Sequence, residues 1–233
     1  MTPQRLQRLR ATLARRQPDL SVIMDGVHKP HNIAAVVRTC DAVGVLELHA
    51  ALPDNRARNT VSTALGSQRW VNVHEHHCGE DAIRHVQSLG MQVLAAHWSE
   101  HAVPYREVDY TRPTALLLGT ERTGVDDISA AAADRHVIIP MMGMVSSFNV
   151  SVAAAIILAE ACEQRRAAGL YQQSRLNQQQ YRDTFFKWAY PKLAEHCRRF
   201  GVPYPELRED GEIANPGRFN FQLSEAIRAG QTS

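Results

Sequence analysis

Between Ser21 and Ala159 short apolar runs alternate with helical stretches, and this alternation leaves the chain few architectures to adopt. Strands are expected at Ser21–Val27, Leu46–Leu52, Trp70–His74, Met91–His97, Thr114–Gly119 and His136–Ile139. Pro30 opens a helix that Gly44 closes, and further helices are expected near Glu80–Leu89 and Asp127–Ala133. Strands that alternate with helices imply a parallel sheet covered on both faces. Before this region, Pro3–Gln17 reads as a helix with Leu6, Leu9 and Leu13 on one stripe and most of its arginines off it. After Gly169 the pattern changes to polar and aromatic helices and a Pro- and Gly-punctuated tail.

The net charge of +2 conceals a segregation. Residues 1–20 carry five Arg against one Asp, residues 21–163 ten basic against 16 acidic, and residues 164–233 eleven basic against seven acidic. An acidic middle between basic ends suggests a polyanion gripped by the termini. No apolar run approaches membrane-spanning length, and the Arg-rich start lacks the apolar core of an export signal. Cys40, Cys78, Cys162 and Cys197 are widely spaced with no C-x-x-C pair, which argues for reduced thiols in the cytoplasm. His74, His76 and His77 lack a ligand set at metal-binding spacing and read as surface imidazoles, so no metal is expected. Neither a G-x-G-x-x-G after the first strand nor a P-loop is present, which disfavours a dinucleotide-dependent dehydrogenase and a P-loop NTPase.

The densest chemistry lies in residues 138–159, IIPMMGMVSSFNVSVAAAIILA, where a strand ends at Pro140, a polar loop follows, and a helix begins after Asn149. In an α/β protein such a loop stands at the carboxyl end of a strand, where ligands bind. Ser146 and Ser147 also suit plain helix capping, which leaves Met141, Met142, Gly143 and Met144 unexplained. Two more segments make the pattern specific: NIAAVVR at 32–38 and LGTERTG at 118–124.

In this order the three segments resemble the motifs of the SpoU (TrmH) family of RNA ribose 2'-O-methyltransferases, within the SPOUT superfamily, over about residues 20–165. The flanks ARRQPDL and VHKPHN resemble its branch that methylates guanosine 18 in the tRNA D-loop. The resemblance implies an α/β parallel-sheet trefoil-knot domain at 21–165, with helical N-terminal (1–20) and C-terminal (166–233) extensions. It also implies a homodimer with the site at the interface, and S-adenosyl-L-methionine as cofactor. The cofactor pocket would be made by Ala96 or its neighbour His97, by Leu118, Gly119 and Gly124, and by Ile139, Met141, Met144 and Phe148. Phe148 departs from the Leu common before the Asn in this family, which bears on pocket shape. The family's proposed mechanism has Arg38 activate the 2'-hydroxyl. A guanidinium is a poor base, however, and holding a phosphate while stabilising the developing alkoxide is physically easier. Asn32, Glu121, Ser147 and Asn149 would orient Arg38 and the ribose. Taken singly, each also suits a cap or a loop charge. Arg8, Arg15, Arg16 and Lys29 are the candidate RNA contacts. Two alternatives remain: a ribosomal RNA methyltransferase of the same family, which often carries a separate N-terminal RNA-binding domain, and a non-catalytic RNA-binding protein with the same fold.

Overall fold

Proline at a first helical turn and glycine just past a last one set several boundaries of this chain. In the computed structural model, which describes residues 1–52, 69–120 and 122–230, the first elements are α1 (Pro3–Leu13), β1 (Gln17–Asp25), α2 (Pro30–Val43), β2 (Val45–Ala51) and β3 (Asn72–His76). Next come α3 (Gly79–Ser88), β4 (Gln92–Ala96), β5 (Val103–Pro104), β6 (Thr114–Leu118), α4 (Asp127–Ala132) and β7 (Arg135–Ile138). The chain ends with α5 (Val150–Ala167), α6 (Gln178–Ala189), α7 (Pro191–Phe200) and α8 (Pro216–Gly230). Pro30 stands in the first turn of α2, and Gly44 closes it at φ +87°, a conformation that costs other residues about 1–2 kcal/mol.

The chain divides into two compact units, Gln17–Gln172 and Met1–Arg16 with Gln173–Ser233. The larger unit holds a seven-stranded sheet in the order β3-β2-β1-β6-β4-β7-β5, with every pair parallel. Alternate residues supply opposite faces. Val22, Met24, Leu94, Leu116 and Leu118 pack with α2 and α5, while Ile23, Val93, Ala95, Ala115 and Leu117 pack with α3 and α4. All five residues of the central strand β6 are buried, so its sequence TALLL shows no polar face. The two-residue β5 was not expected from the sequence; it is too short to leave a periodic signal.

The end of α5 is locked by Arg165, which is fully buried. Its guanidinium donates to the Asp19 carboxylate at 2.7 Å, to Gln17 Oε1 at 3.1 Å, and to the carbonyls of Asp19, Tyr110 and Arg112 at 2.8–2.9 Å. Counted in the sequence with the basic C-terminal region, this charge belongs to the interior of the larger unit.

At the β2–β3 edge, His74 and His76 meet His49 and His85, with His49 ring centroids 5.1–5.2 Å from the other three. His49 Nδ1 lies 2.9 Å from His76 Nε2, and His74 Nε2 lies 2.5 Å from a Glu47 carboxylate oxygen. Among the described residues no group of three or more His, Cys, Asp or Glu is arranged to hold a metal. Burial, reinforced by the charges of its three neighbours, pushes His49 down to about 3. The folded state therefore excludes a proton that the unfolded chain accepts near pH 6.5. Stability from this group is present above that pH and is lost as pH falls toward 3. We expect unfolding to become about 2 kcal/mol easier between pH 7 and pH 4.5, and His49→Gln to flatten that slope in denaturant titrations. An unchanged slope would remove His49 as its source.

In the smaller unit, Thr2 caps α1, an Asn177/Gln180 capping box starts α6, and Pro191 and Gly201 bound α7. Phe186, Ala194, Cys197, Phe219 and Leu223 form its core, so the punctuated tail contains a packed helix, α8. The Met1 amino group pairs with the Glu212 carboxylate. The two basic ends, read from the sequence as separate extensions, thus share one unit with 14 basic against seven acidic residues, while the larger unit has 12 against 17. Arg16, expected to face RNA, is instead 1% exposed, with its guanidinium 5.0 Å from the Trp188 ring centroid. The aromatic face and the surrounding core hold this cation inside. Arg8 and Arg15 are exposed.

Candidate functional site

Parallel pairing sets Met24 beside Leu118 and Ala96 beside Val137, so the carboxyl ends of β4, β6 and β7 come together. The loops leaving these strands enclose a cavity of about 740 Å³. Ala96, His97 and Trp98 contribute after β4; Leu118, Gly119, Thr120, Arg122, Thr123 and Gly124 after β6; and Ile139, Pro140, Met141, Ser146, Ser147 and Phe148 after β7. Val150, Ala153 and Ile157 of α5 add an apolar side.

Each loop is shaped by local chemistry. Thr120 and Gly124 exchange backbone hydrogen bonds of 2.9 and 3.0 Å, which folds the β6 loop back on itself. Gly119 sits so close to this turn that a Cβ would lie 2.0 Å from the Gly124 carbonyl carbon and oxygen. Gly124 has open space around it but a φ of +74°, so conformation alone requires glycine there. Gly119 thus makes room for the loop's own backbone. After β4, His97 stands edge-to-face with His136 at 5.0 Å. His136 is fixed by the Ala130 carbonyl at 2.9 Å from Nε2 and the Ser99 hydroxyl at 2.8 Å from Nδ1. Nε2 must donate to the carbonyl, so in neutral His136 the Nδ1 accepts from Ser99.

The third loop is tied back to the first motif. Asn149 Nδ2 donates to Asn32 Oδ1 at 3.2 Å, joining the start of α5 to the first turn of α2. Asn149 Oδ1 accepts from Ser151 N at 2.9 Å, so Asn149 itself caps α5, and Ser146 and Ser147 face the cavity. Asn32 is 2% exposed, which places a polar side chain at buried depth where a partner is required.

Of the expected cofactor residues, Ala96, His97, Leu118, Gly119, Gly124, Ile139, Met141 and Phe148 all line the cavity. Met144 does not. It is fully solvent-exposed beside a 95% exposed Met142, because the loop turns outward between Met141 and Ser146. Arg38 is exposed on α2 outside the cavity lining, although its neighbours Val36 and Val37 are buried. Lys29 is exposed just before α2. Glu121 lies outside the described residues. Sequence reasoning missed Trp98, Thr120, Arg122 and Thr123. Their signal was adjacency, since each follows a recognised position in the same loop. Arg122 adds a guanidinium suited to a carboxylate or phosphate.

The sequence profile of the SpoU rRNA Methylase family matches residues 19–159, and that of the SpoU rRNA methylase C-terminal region matches 163–216. The Escherichia coli (strain K12) tRNA (guanosine(18)-2'-O)-methyltransferase is 50% identical over 215 residues, covering 91% of this chain and 94% of the relative. The crystal structure of the A. aeolicus TrmH/SpoU tRNA modifying enzyme superposes with a TM-score of 0.73 at 38% identity, covering 82% of this chain and 97% of that one. An AdoMet-bound rRNA methyltransferase from Sinorhizobium meliloti is 31% identical with a TM-score of 0.55, covering 67% and 59%. A profile match running through more than half of the chain, joined to half-identity with a relative covered almost end to end, makes this chain a member of the SpoU rRNA methylase family.

Proposed function

We propose that the protein transfers a methyl group from S-adenosyl-L-methionine to the ribose 2'-hydroxyl of guanosine 18 in the D-loop of tRNA. The observation that carries this reading is the cavity walled by loops from the motif segments, with Asn32 and Asn149 hydrogen-bonded beside it. Half-identity to a curated tRNA (guanosine(18)-2'-O)-methyltransferase supports the choice of RNA.

The cavity fits the cofactor. Its size lies within the range of small-molecule sites, Ile139 and Phe148 offer apolar walls to an adenine, and Arg122 offers a cation to a carboxylate. Bound there, the cofactor would supply an electrophilic methyl carbon to the ribose 2'-oxygen, whose proton would pass to water. Asn32 and Asn149 hold the start of α5, and with it the Ser147 loop, in register for an in-line attack. Arg38 is assigned to the phosphate beside the reacting ribose and to the charge growing on its oxygen.

Every residue from Met142 to Asn149 is exposed, including Met142, Met144, Val145 and Phe148, and Val152 follows on α5. Such an apolar patch supports a homodimer with the site at its interface, where the exposed Arg38 would serve. The trefoil knot is supported by strand order: β7 lies between β4 and β5, and the helix after it packs on α2. A tRNA substrate supports a cytoplasmic location, and among the described residues no helix is long and apolar enough to cross a membrane.

The test is methyl transfer from labelled S-adenosyl-L-methionine to unmodified tRNA and ribosomal RNA transcripts, with the product mapped by nuclease digestion. A 2'-O-methylguanosine in the tRNA D-loop is expected; label in ribosomal RNA alone would overturn the substrate. Gly119→Ala should weaken cofactor binding by about 100-fold or more in calorimetry while far-UV dichroism is kept, because the added methyl collides with backbone that forms the wall. Replacing Arg8 and Arg15 together should lower the slope of log affinity for tRNA against log salt by roughly 1.4–1.8, as expected for two lost phosphate contacts. An unchanged slope would defeat the gripping role of α1.

A further inference from the structure

The smaller unit contains a second cavity, of about 410 Å³, to which α1, α6 and the segment before α8 each contribute. Tyr181, Phe185 and Tyr204 give it ring surfaces, and Arg10, Arg182 and Arg208 give it guanidinium groups. Tyr181 lies against Phe185, with centroids 6.3 Å apart and planes 5° from parallel. Phe185 is buried and Tyr181 only half-buried, so Tyr181 is the outer ring of this stack. Tyr204 is anchored from behind by Phe186 at 4.9 Å.

The three cations are not equivalent. Arg208 is spent on Asp210 at 2.8 Å. Arg10 donates to the backbone carbonyl of Glu209 at 2.6 Å, which orients the group without neutralising it. Arg182 is exposed, and no ion pair to a described carboxylate holds it. Asp183 and Glu206 also line the cavity, yet neither forms an ion pair with Arg10 or Arg182. Flat ring faces beside two guanidinium groups without a carboxylate partner are the chemistry that takes one unstacked nucleotide, base on ring and phosphate on cation. Double-stranded RNA keeps its bases stacked inside and does not offer that combination.

We propose that this cavity is a subsite for a single unpaired nucleotide of the RNA substrate, its base stacked on Tyr181 and its phosphate held by Arg10 and Arg182. It rests on the RNA methyltransferase reading and adds to it a second point of grip, one that senses unpaired structure. The base adds to the Phe185–Tyr181 stack, and the net charge of the unit, 14 basic against seven acidic residues, draws the strand in.

The test uses the full chain. A short single-stranded RNA carrying 2-aminopurine is titrated with wild type, Tyr181→Ala, Tyr181→Phe and Arg182→Ala, and the same strand in a duplex serves as comparison. Wild type should quench the fluorophore in the single strand and not in the duplex, and Tyr181→Ala should weaken the affinity about tenfold while Tyr181→Phe, which keeps the ring, retains it. Arg182→Ala removes an exposed group, so it reports even if Tyr181→Ala fails to fold, and it should lower the affinity several-fold. In methyl transfer to tRNA, both Ala variants should raise KM with kcat and cofactor affinity unchanged. Equal binding by wild type, Tyr181→Ala and Arg182→Ala, or equal quenching in the duplex, would overturn the subsite. Absence of methyl transfer by wild type with the quenching pattern intact would overturn the catalytic reading and leave the nucleotide site standing.

Discussion

Arg38→Ala is expected to lower kcat/KM for methyl transfer about a thousandfold or more while S-adenosyl-L-methionine still binds within about twofold of wild type. The side chain lies outside the cofactor cavity, so its loss leaves those walls intact. Val36, Val37 and their buried neighbours hold α2 in place, and Arg38 is exposed, so the fold has little to lose. On the proposed reading, what is lost is a planar fork that would hold a phosphate with two hydrogen bonds and stay charged as the ribose oxygen becomes an alkoxide. Lys at this position keeps the charge and loses the fork, so about a tenth of the activity or less should remain. The measurement is initial-rate transfer to a tRNA transcript, with cofactor affinity taken separately by calorimetry. Full turnover by the Ala variant would remove this guanidinium from the mechanism.

The second large effect concerns stability. Arg165→Ala should destabilise the unit Gln17–Gln172 by about 3–5 kcal/mol, the usual result of removing one partner from a buried ion pair. Asp19 would keep its charge, and the carbonyls of Tyr110 and Arg112 would lose a donor at buried depth. A change of this size lowers the melting temperature of a domain this large by about 10 °C. Asp19→Asn should cost less, since the amide oxygen still accepts from Arg165 and the guanidinium, though left without its counter-charge, keeps its four other acceptors. Equal losses in the two variants would show that the pair, and not the buried cation, sets the effect. A loss below about 1 kcal/mol for Arg165→Ala would mean that water replaces the guanidinium.

These two arginines also mark how far the sequence can be read. Arg38 was recognisable because it ends a segment, NIAAVVR, that resembles a motif of the SpoU family. Arg165 was not, since nothing near it in sequence names Asp19, Tyr110 or Arg112 as partners. The same division runs through the cavity. Ile139, Met141 and Phe148 were expected at its wall and stand there, while Met144, three residues beyond Met141, points to solvent. A motif assigns a loop to a site, but the turn of that loop decides which of its side chains enter.

The amino-acid sequence by itself determined the alternation of strands and helices, the ends of α2 at Pro30 and Gly44, and the start of α5 after Asn149. These follow from short-range effects: a ring that locks φ, a residue that tolerates positive φ, a side chain that reaches its own helix start, and apolar periodicity. Only the tertiary structure decided that Asn149 meets Asn32, that Gly119 is pressed against Gly124, and that the two basic ends share one unit. It alone buried Arg16 on Trp188 and Arg165 in the core while leaving Arg8 and Arg15 outside. The reason is physical: whether a polar side chain is buried depends on finding a partner, and here those partners lie as many as 172 residues away along the chain.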